Sequence, residues 1–332
     1  MRWIIAVSGI GVALVMLAFS AVTKPGRPTN RPVALTAEPL VLNSADPEQT
    51  NAGVLHYLGG WSLTERGQLF GGLSAMTIRP DGKISALSDS GAMFTFPEPD
   101  MKSTRFTAQT IVLPYKKPKK HWMPRPTDSE SLAADPDFRR VWVGYELMQL
   151  ICRYETDFAR IGTCRAWPEM KHWPETESIE SLARLPDGRF LAIAEGGEAP
   201  GGGREVLLFA DDPVEASTTH PMRMSYVPPT GYNPTDALWI GNGRMLVLNR
   251  RATLYDGFTA VITVVDLRDV RPGAVLRGRE VARLAPPLLS DNFEGMALQR
   301  RDGQRVLWLV SDDNHLFLQR TLLLKFALPD SL

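Results

Sequence analysis

A short sequence phrase recurs along the chain, and acidic residues occupy its first and last positions more often than any other type. Each copy combines a polar residue, an apolar run, a turn, a second apolar run and a second polar residue. The five copies open at Ser74, Glu130, Glu180, Thr235 and Glu294. Their second apolar runs are followed by Asp89, Glu146, Glu195, Arg250 and Asp312.

Carboxylates gathered in one concavity repel each other unless a cation or raised pKa values relieve them. Hard oxygen ligands of this kind suit Ca²⁺, with Mg²⁺ or Mn²⁺ as alternatives. The alternative interpretation is that the acids cap turns or pair with a neighbouring arginine. On the metal hypothesis, the predicted ligands are Glu130, Glu180, Glu294, Asp89, Glu195 and Asp312.

The fourth copy replaces the acid at its second polar position with two arginines, Arg250 and Arg251. Guanidinium forks bind phosphate or carboxylate groups in a bidentate fashion. We therefore predict that Arg250, Arg251 and the neighbouring acid of the last copy, Asp313, act on an anionic ester. For Arg250, a structural ion pair with a carboxylate of the ring is an equal alternative.

The elements that position these residues follow from the period of the phrase. The copies start 56, 50, 55 and 59 residues apart, and a period of this size indicates a solenoid, a propeller or an array. Each copy has two apolar runs around a turn such as Asp81-Gly82 or Asp187-Gly188, which predicts a β-hairpin. Two further strands fit between copies, as in Glu205–Phe209 and Met222–Val227, which completes a four-stranded blade.

The fold class is therefore all-β, a β-propeller of five or six four-stranded blades. Equivalent residues of successive blades meet around the central channel of such a fold. Residues 39–64 and the last apolar run, Thr321–Leu328, are predicted to share one blade and close the ring. Closure from both termini removes the sheet edges that favour aggregation.

The N-terminus carries a hydrophobic segment. After Met1-Arg2, no charge occurs from Trp3 to Val22, so residues 1–23 form a signal peptide or, as we favour, an uncleaved membrane anchor. Residues 24–38 are Pro-rich and predict an extended linker, and residues 39–332 form the propeller domain. We expect the domain on the periplasmic side of the cell envelope, anchored to the inner membrane or secreted.

Composition agrees with an exported domain. Cys152 and Cys164 flank a predicted hairpin, where they form a disulfide or remain two free thiols. The 37 basic and 37 acidic residues balance, so charge gives no argument for a nucleic-acid partner. The five histidines lack metal-ligand spacing and Ser74 is not in a nucleophile elbow, so a serine-hydrolase triad is not supported.

Several spaced motifs resemble the bacterial phytase-like family, described as having esterase-like activity of phytase. The motifs lie within residues 54–328. They are Phe70–Ser74, Ser88–Gly91, Asp128–Ala133, Asp291–Ala297, Ser311–Asn314 and Gln319–Phe326. The resemblance implies an exported β-propeller that hydrolyses phosphate or other esters with a divalent metal, usually calcium. Ser74, Thr235 and Arg250 stand where an acid is expected from the calcium-dependent propeller phytases.

The leading hypothesis is a monomeric, metal-assisted esterase or phosphoesterase of the cell envelope that acts on a small anionic ester. One alternative is a non-catalytic propeller that binds a ligand or a partner protein. Another is a lactonase-like hydrolase.

Overall fold

The repeated phrase folds as antiparallel hairpins that stand around a central channel. The computed structural model describes residues 29–67, 69–101, 104–115, 128–215, 217, 219–316 and 319–332. The predicted N-terminal hydrophobic segment and the first part of the predicted linker lie outside these residues. Within the described residues, the one helix is a short 3₁₀ turn at Pro168–Met170, and no helix is long and apolar enough to cross a membrane.

The strands, in chain order, are β1 (Val33–Pro39), β2 (Asn51–Ala52), β3 (Leu55–Glu65), β4 (Leu73–Ile78), β5 (Ile84–Ser88), β6 (Ala92–Phe96), β7 (Arg105–Val112), β8 (Ser129–Ala134), β9 (Arg140–Tyr145), β10 (Leu150–Glu155), β11 (Thr163–Ala166), β12 (Ile179–Arg184), β13 (Phe190–Glu198), β14 (Arg204–Phe209), β15 (Met222–Val227), β16 (Asn233–Gly241), β17 (Arg244–Thr253), β18 (Gly257–Asp266), β19 (Val275–Arg277), β20 (Arg279–Leu284), β21 (Phe293–Arg301), β22 (Gln304–Ser311) and β23 (Thr321–Ala327).

These strands form five blades in the part of the chain that the structure describes. The first four blades are β4–β7, β8–β11, β12–β15 and β16–β18 with β20. The fifth blade is β21–β23 completed by β3, so strands from both ends of the domain share one blade, as predicted. The inner strands β4, β8, β12, β16 and β21 each contact the next, and β21 contacts β4, which closes the ring.

Two strands connect neighbouring blades at their outer edges. β1 pairs antiparallel with both β3 and β7, so the fifth and first blades become one continuous sheet. Residues 33–38, which the sequence assigned to an extended linker, therefore belong to the propeller. The composition was misleading because every second residue of this segment, Val33, Leu35 and Ala37, is apolar and buries its side chain. β19 pairs parallel with β15 and extends the third blade.

The core consists of apolar layers between adjacent blades. Along β13, Phe190, Ala192 and Ala194 pack toward the second blade, and Leu191 and Ile193 pack toward the fourth. Because successive side chains of a strand point to opposite faces, a strand covered on both faces is apolar throughout. This explains the continuous apolar runs in the second half of each copy.

The hairpin turns lie on the face opposite the polar positions of the phrase. Asp302 and Gly303 both have positive φ angles, of 51° and 77°, which suits the twist of a two-residue hairpin. The second copy lacks such a pair and turns differently, with Phe138 in the left-handed region at φ 53°. The sequence had predicted this exception.

Cys152 and Cys164 face each other on β10 and β11 and form a disulfide. The hairpin predicted from sequence thus carries the bonded pair rather than two free thiols. It lies at the outer edge of the second blade, away from the channel.

Candidate functional site

A β-bulge occupies the same place on every inner strand. Pairing between the first two strands of each blade shifts by one residue there, so one residue of the inner strand lacks a partner in the ladder. A bulge bends the strand and re-aims the side chain of the extra residue. The five bulge residues are Ser74, Glu130, Glu180, Thr235 and Glu294.

The second polar position of each copy lies beside the bulge because the hairpin returns the chain to the same end of the channel. Asp89 donates its backbone N–H to Gly72 O at 2.8 Å, and Glu195 donates to Ser178 O at 3.0 Å. Glu146 and Asp312 make the corresponding bonds. In these four blades, the acceptor lies two residues before the bulge. The same backbone hydrogen bond therefore holds the two polar residues of each copy close together.

The acidic side chains at this end, the channel mouth, are buried or half-buried and interact electrostatically. Burial, followed by the charge of Glu294 and of other acids nearby, raises the pKa of Glu130 well above its usual range. Burial and the neighbouring Glu195 do the same for Glu180. Burial also raises the pKa of Asp312 and sets the pKa values of Glu146 and Glu294 at about 7. The mouth therefore favours protonation or a bound cation.

Arg250 lies among these acids and pairs with two of them. Its Nη2 donates to Glu195 Oε1 at 2.6 Å, and its Nη1 donates to Asn292 Oδ1 at 2.8 Å and to Glu294. Burial lowers the pKa of Arg250, but the charges of Glu294 and Glu195 outweigh it, and the pKa is raised. The guanidinium is thus engaged by ring carboxylates, which is the alternative that the sequence left open.

A second group of acids in the mouth has the arrangement of a metal site. One ligand oxygen from each residue lies within 4.8 Å of the others, and the group consists of Asp128, Glu130 and Glu146. Glu146 is held by the Ser178 N–H, which donates to its Oε1 at 2.9 Å. Three carboxylates at this spacing match the oxygen donors that Ca²⁺ or Mg²⁺ takes, so the residues fit a divalent cation.

This group differs from the predicted ligand set. It contains Glu130 but neither Glu180 nor Glu294. It adds Glu146, an acid of the repeated phrase that was not a predicted ligand, and Asp128, which sequence reasoning missed. Asp128 lies two residues before the bulge and just outside the repeated phrase, in the motif Asp128–Ala133. Two other predicted ligands, Asp89 and Asp312, lie close enough to each other in the mouth to interact electrostatically. Glu195, also a predicted ligand, is held by Arg250.

The structure does not bring Arg251 to the carboxylates. Its neighbour Arg250 faces the channel, and alternate residues of a strand face opposite ways. Arg251 instead donates to Asp256 Oδ2 at 3.1 Å within the same hairpin and lies 4.8 Å over the ring of Tyr232.

Asp313 has a structural role at the edge of the mouth. Its Oδ1 accepts the backbone N–H groups of Gly72 and His315, each at 3.0 Å, and its Oδ2 accepts Thr321 Oγ1 at 2.8 Å. These bonds join the loop before β4 to the loop before β23.

Asp89 and His315 approach each other over Gly72. Gly72 has φ +61°, and a Cβ there would lie 2.6 Å from Asp89 Oδ1 and 3.0 Å from His315 Nε2. Sequence reasoning set His315 aside because histidines alone show no spacing pattern. Its place depends on the loop between β22 and β23 of the fifth blade, which contacts Gly72 just before the first blade.

Below the mouth, the channel contains a cavity of about 190 Å³ lined by all five inner strands. Asp236, which follows the bulge of β16, lies in its wall. Its carboxylate accepts Ala237 N at 2.7 Å and Met296 N at 2.6 Å, which links the fourth and fifth blades. Burial nevertheless raises the pKa of Asp236 to about 8.

The chain matches a known protein family. The model of the family described as "Phytase-like: Esterase-like activity of phytase" matches residues 68–315, which include every carboxylate of the mouth. The chain belongs to the phytase-like family. None of the curated proteins compared with it matches this phytase-like chain.

Among solved structures, the chain is similar in fold to several proteins of other kinds. A putative oxidoreductase (glucose dehydrogenase) from Thermus thermophilus has a TM-score of 0.37 at 14% identity, with 77% of this chain and 98% of that chain covered. The β-propeller domain of Cps50 (Swd1) from Myceliophthora thermophila has a TM-score of 0.34 at 8% identity, with 89% and 96% covered. Scores this low carry no argument about function.

Proposed function

We propose that this phytase-like protein is an exported hydrolase that cleaves a small anionic ester with the help of a divalent cation at the channel mouth. The observation that carries the proposal is the convergence of Asp128, Glu130 and Glu146 within a larger set of buried acids. Like charges in one buried space are costly unless a cation compensates them. Family membership supports ester hydrolysis at the level of reaction class.

Different residues would bind the cation and compensate the remaining charge. Asp128, Glu130 and Glu146 would hold the cation, with Glu146 oriented by the Ser178 N–H. When bound, a divalent cation would polarise an ester oxygen and stabilise the charge that develops on it. Arg250 would keep Glu195 and Glu294 in place and lower the negative charge that an anionic substrate meets.

Export is part of the proposal. The Cys152–Cys164 disulfide supports an oxidising compartment, where such bonds persist. Labelling of free thiols in protein isolated without reductant tests this, and we expect no free thiol. A protein that labels fully at both cysteines would argue against export.

Hydrolysis assays test the activity. Purified full-length protein is offered phytate, an aryl phosphate, an aryl carboxylic ester and a lactone, each with EDTA and with added Ca²⁺. We expect hydrolysis of a phosphate or carboxylic ester that EDTA abolishes and Ca²⁺ restores. Glu130→Gln should lower the rate by about a hundredfold or more, because it removes a charged cation ligand. Asp187→Asn, which changes an exposed turn carboxylate, is the matched control.

One observation favours a non-catalytic binding propeller instead. The forked guanidinium of Arg250, the predicted clamp for the substrate anion, is already engaged by Glu195, Asn292 and Glu294. If no substrate is hydrolysed in any condition and Ca²⁺ leaves the melting temperature unchanged, this second function is the better one.

A further inference from the structure

The end of the channel opposite the carboxylates carries a groove between the first and fifth blades. The groove has a volume of about 780 Å³ and is lined by 78–82 and 298–301, with Glu98 and Pro136 at its sides. It shares Ile78 and Leu298 with the lining of the channel cavity, so the channel leads into it. We call it the turn-side groove, because the first hairpin turn of the first blade and the end of the fifth inner strand form its walls.

Arginines dominate the charge of the turn-side groove. Arg79 comes from the end of the first inner strand, and Arg300 and Arg301 come from the end of the fifth. Arg184, at the same end of the third inner strand, lines the adjoining cavity. Three arginines therefore line the groove and a fourth lines the cavity beside it.

The acids in the lining compensate these arginines only in part, because each acid lies closer to a lysine. Asp81 accepts Lys83 Nζ at 2.9 Å, and Glu98 accepts Lys325 Nζ at 2.6 Å. With the two lysines counted, cations outnumber carboxylates around the groove. An anion that enters it meets a positive field.

The guanidinium groups of these arginines keep N–H donors available for a ligand. Arg79 Nε is buried and makes no hydrogen bond within the described residues, since Asp81 Oδ1 lies 3.4 Å away in a long ion pair. Its guanidinium lies 4.5 Å over the ring of Phe138, which fixes its position. Arg301 has only long contacts, at 3.7 Å to Glu98 and 3.5 Å to Asp302, and its side chain is 67% exposed.

Arg300 completes the set. Its side chain donates one bond, from Nη2 to Ile240 O of the fourth blade at 3.2 Å, and makes no other hydrogen bond with the described residues. Forked guanidinium groups around a concave surface match the oxygens of phosphate better than those of a neutral ligand.

We propose that the turn-side groove binds a small anion that carries phosphate groups, at a site separate from the carboxylate mouth. The ligand enters from the face of the hairpin turns and contacts Arg79, Arg300 and Arg301. This site needs no metal, so it stands or falls independently of the proposed hydrolase activity.

Calorimetric titration of the full-length protein with inorganic pyrophosphate in EDTA tests the proposal. EDTA removes cations from the carboxylate mouth, so binding that persists belongs to a metal-independent site. We expect saturable binding that weakens as NaCl is raised, because screening reduces the attraction between exposed charges.

Three single variants locate the site. Arg79→Gln, Arg300→Gln and Arg301→Gln should each weaken pyrophosphate binding by about tenfold, since each removes charge-assisted hydrogen bonds. Arg268→Gln is the matched control, because Arg268 is an exposed arginine on the same face that pairs with Asp266 in the fourth blade. It should bind as the wild type does. The exposed position of Arg301 makes its variant informative even if Arg79→Gln destabilises the fold.

Two results would overturn the proposal. One is the absence of pyrophosphate binding to the wild type in EDTA. The other is binding to the folded Arg301→Gln and Arg300→Gln variants that equals binding to the wild type.

Discussion

Arg250, on the second strand of the fourth blade, donates a 2.6 Å hydrogen bond to Glu195, on the second strand of the third blade. The same guanidinium reaches Glu294 on the inner strand of the fifth blade. One cation thus joins three blades at the point where buried acids would otherwise push them apart. The fourth copy of the phrase carries arginine where the other four carry an acid, and the contact gives the physical reason for that exception.

Arg250→Gln should lower the free energy of unfolding by about 3–5 kcal/mol, because it leaves Glu195 and Glu294 buried without their partner. Urea denaturation at neutral pH measures the change. Arg251→Gln is the control, since its pair with Asp256 is partly exposed and contributes about 1 kcal/mol or less. Equal losses in the two variants would show that the buried bridge is not what stabilises this end of the channel.

Calcium should raise the melting temperature, because a ligand that binds only the folded state stabilises it. At a free concentration a hundredfold above Kd, the gain is about 2.7 kcal/mol. Differential scanning fluorimetry with EDTA and with added Ca²⁺ measures it. Glu130→Gln, Glu146→Gln and Asp128→Asn should each reduce this calcium-dependent shift.

Glu195→Gln separates the ligand set seen in the structure from the set predicted from sequence. Glu195 was a predicted ligand, but Arg250 holds it, so this variant should keep the calcium-dependent shift. A shift lost in Glu195→Gln and kept in Asp128→Asn would favour the sequence-based ligands over the structural group.

The fold and the ring of polar positions followed from the sequence because the phrase encodes both strands and their turn. The copies aligned Glu130, Glu180 and Glu294, and the structure places a bulge at each of them. Blade number could not be fixed in the same way, since the spacers between copies left room for a divergent sixth blade.

The direction of each side chain did not follow from the sequence. A bulge changes which residues face the channel. Asp236, next to the aligned Thr235, therefore lines the channel cavity although the repeat pattern did not predict it. Whether Arg250 meets a substrate or its own neighbours depends on distances between blades, which a repeat pattern does not contain. Asp128 was missed for a similar reason, because it lies outside the phrase, immediately before β8, and its distance to Glu146 comes from the fold and not from the repeat.

Removing the disulfide should cost stability without abolishing function. Cys152 and Cys164 are 12 residues apart, and closing a loop of about this size stabilises a protein by about 3 kcal/mol. The double variant with serine at both positions should lose about that much in urea denaturation, and added reductant should affect only the wild type. Any metal-dependent hydrolysis should be kept, since the bond lies at the outer edge of its blade. A double variant as stable as the oxidised wild type would contradict the prediction.

Asp236 should make stability fall as the pH rises from about 4 to about 8. Its pKa is about 8 in the folded protein, above the value of about 3.9 in an unfolded chain. Between these values the folded state keeps a proton that the unfolded state releases, so the stabilising effect is complete below pH 4 and is lost as the pH approaches 8.

In Asp236→Asn this contribution is absent, and the amide also leaves one of the two backbone donors, Ala237 N or Met296 N, poorly matched. The variant should therefore be less stable than the wild type at pH 5, by about 1–3 kcal/mol for the lost acceptor, and the gap should narrow or reverse by pH 8. Urea denaturation at unit steps of pH measures the gap, with Asp187→Asn as the exposed control. Curves for the wild type and Asp236→Asn that stay parallel from pH 5 to pH 8 would show that Asp236 does not hold its proton in the folded channel.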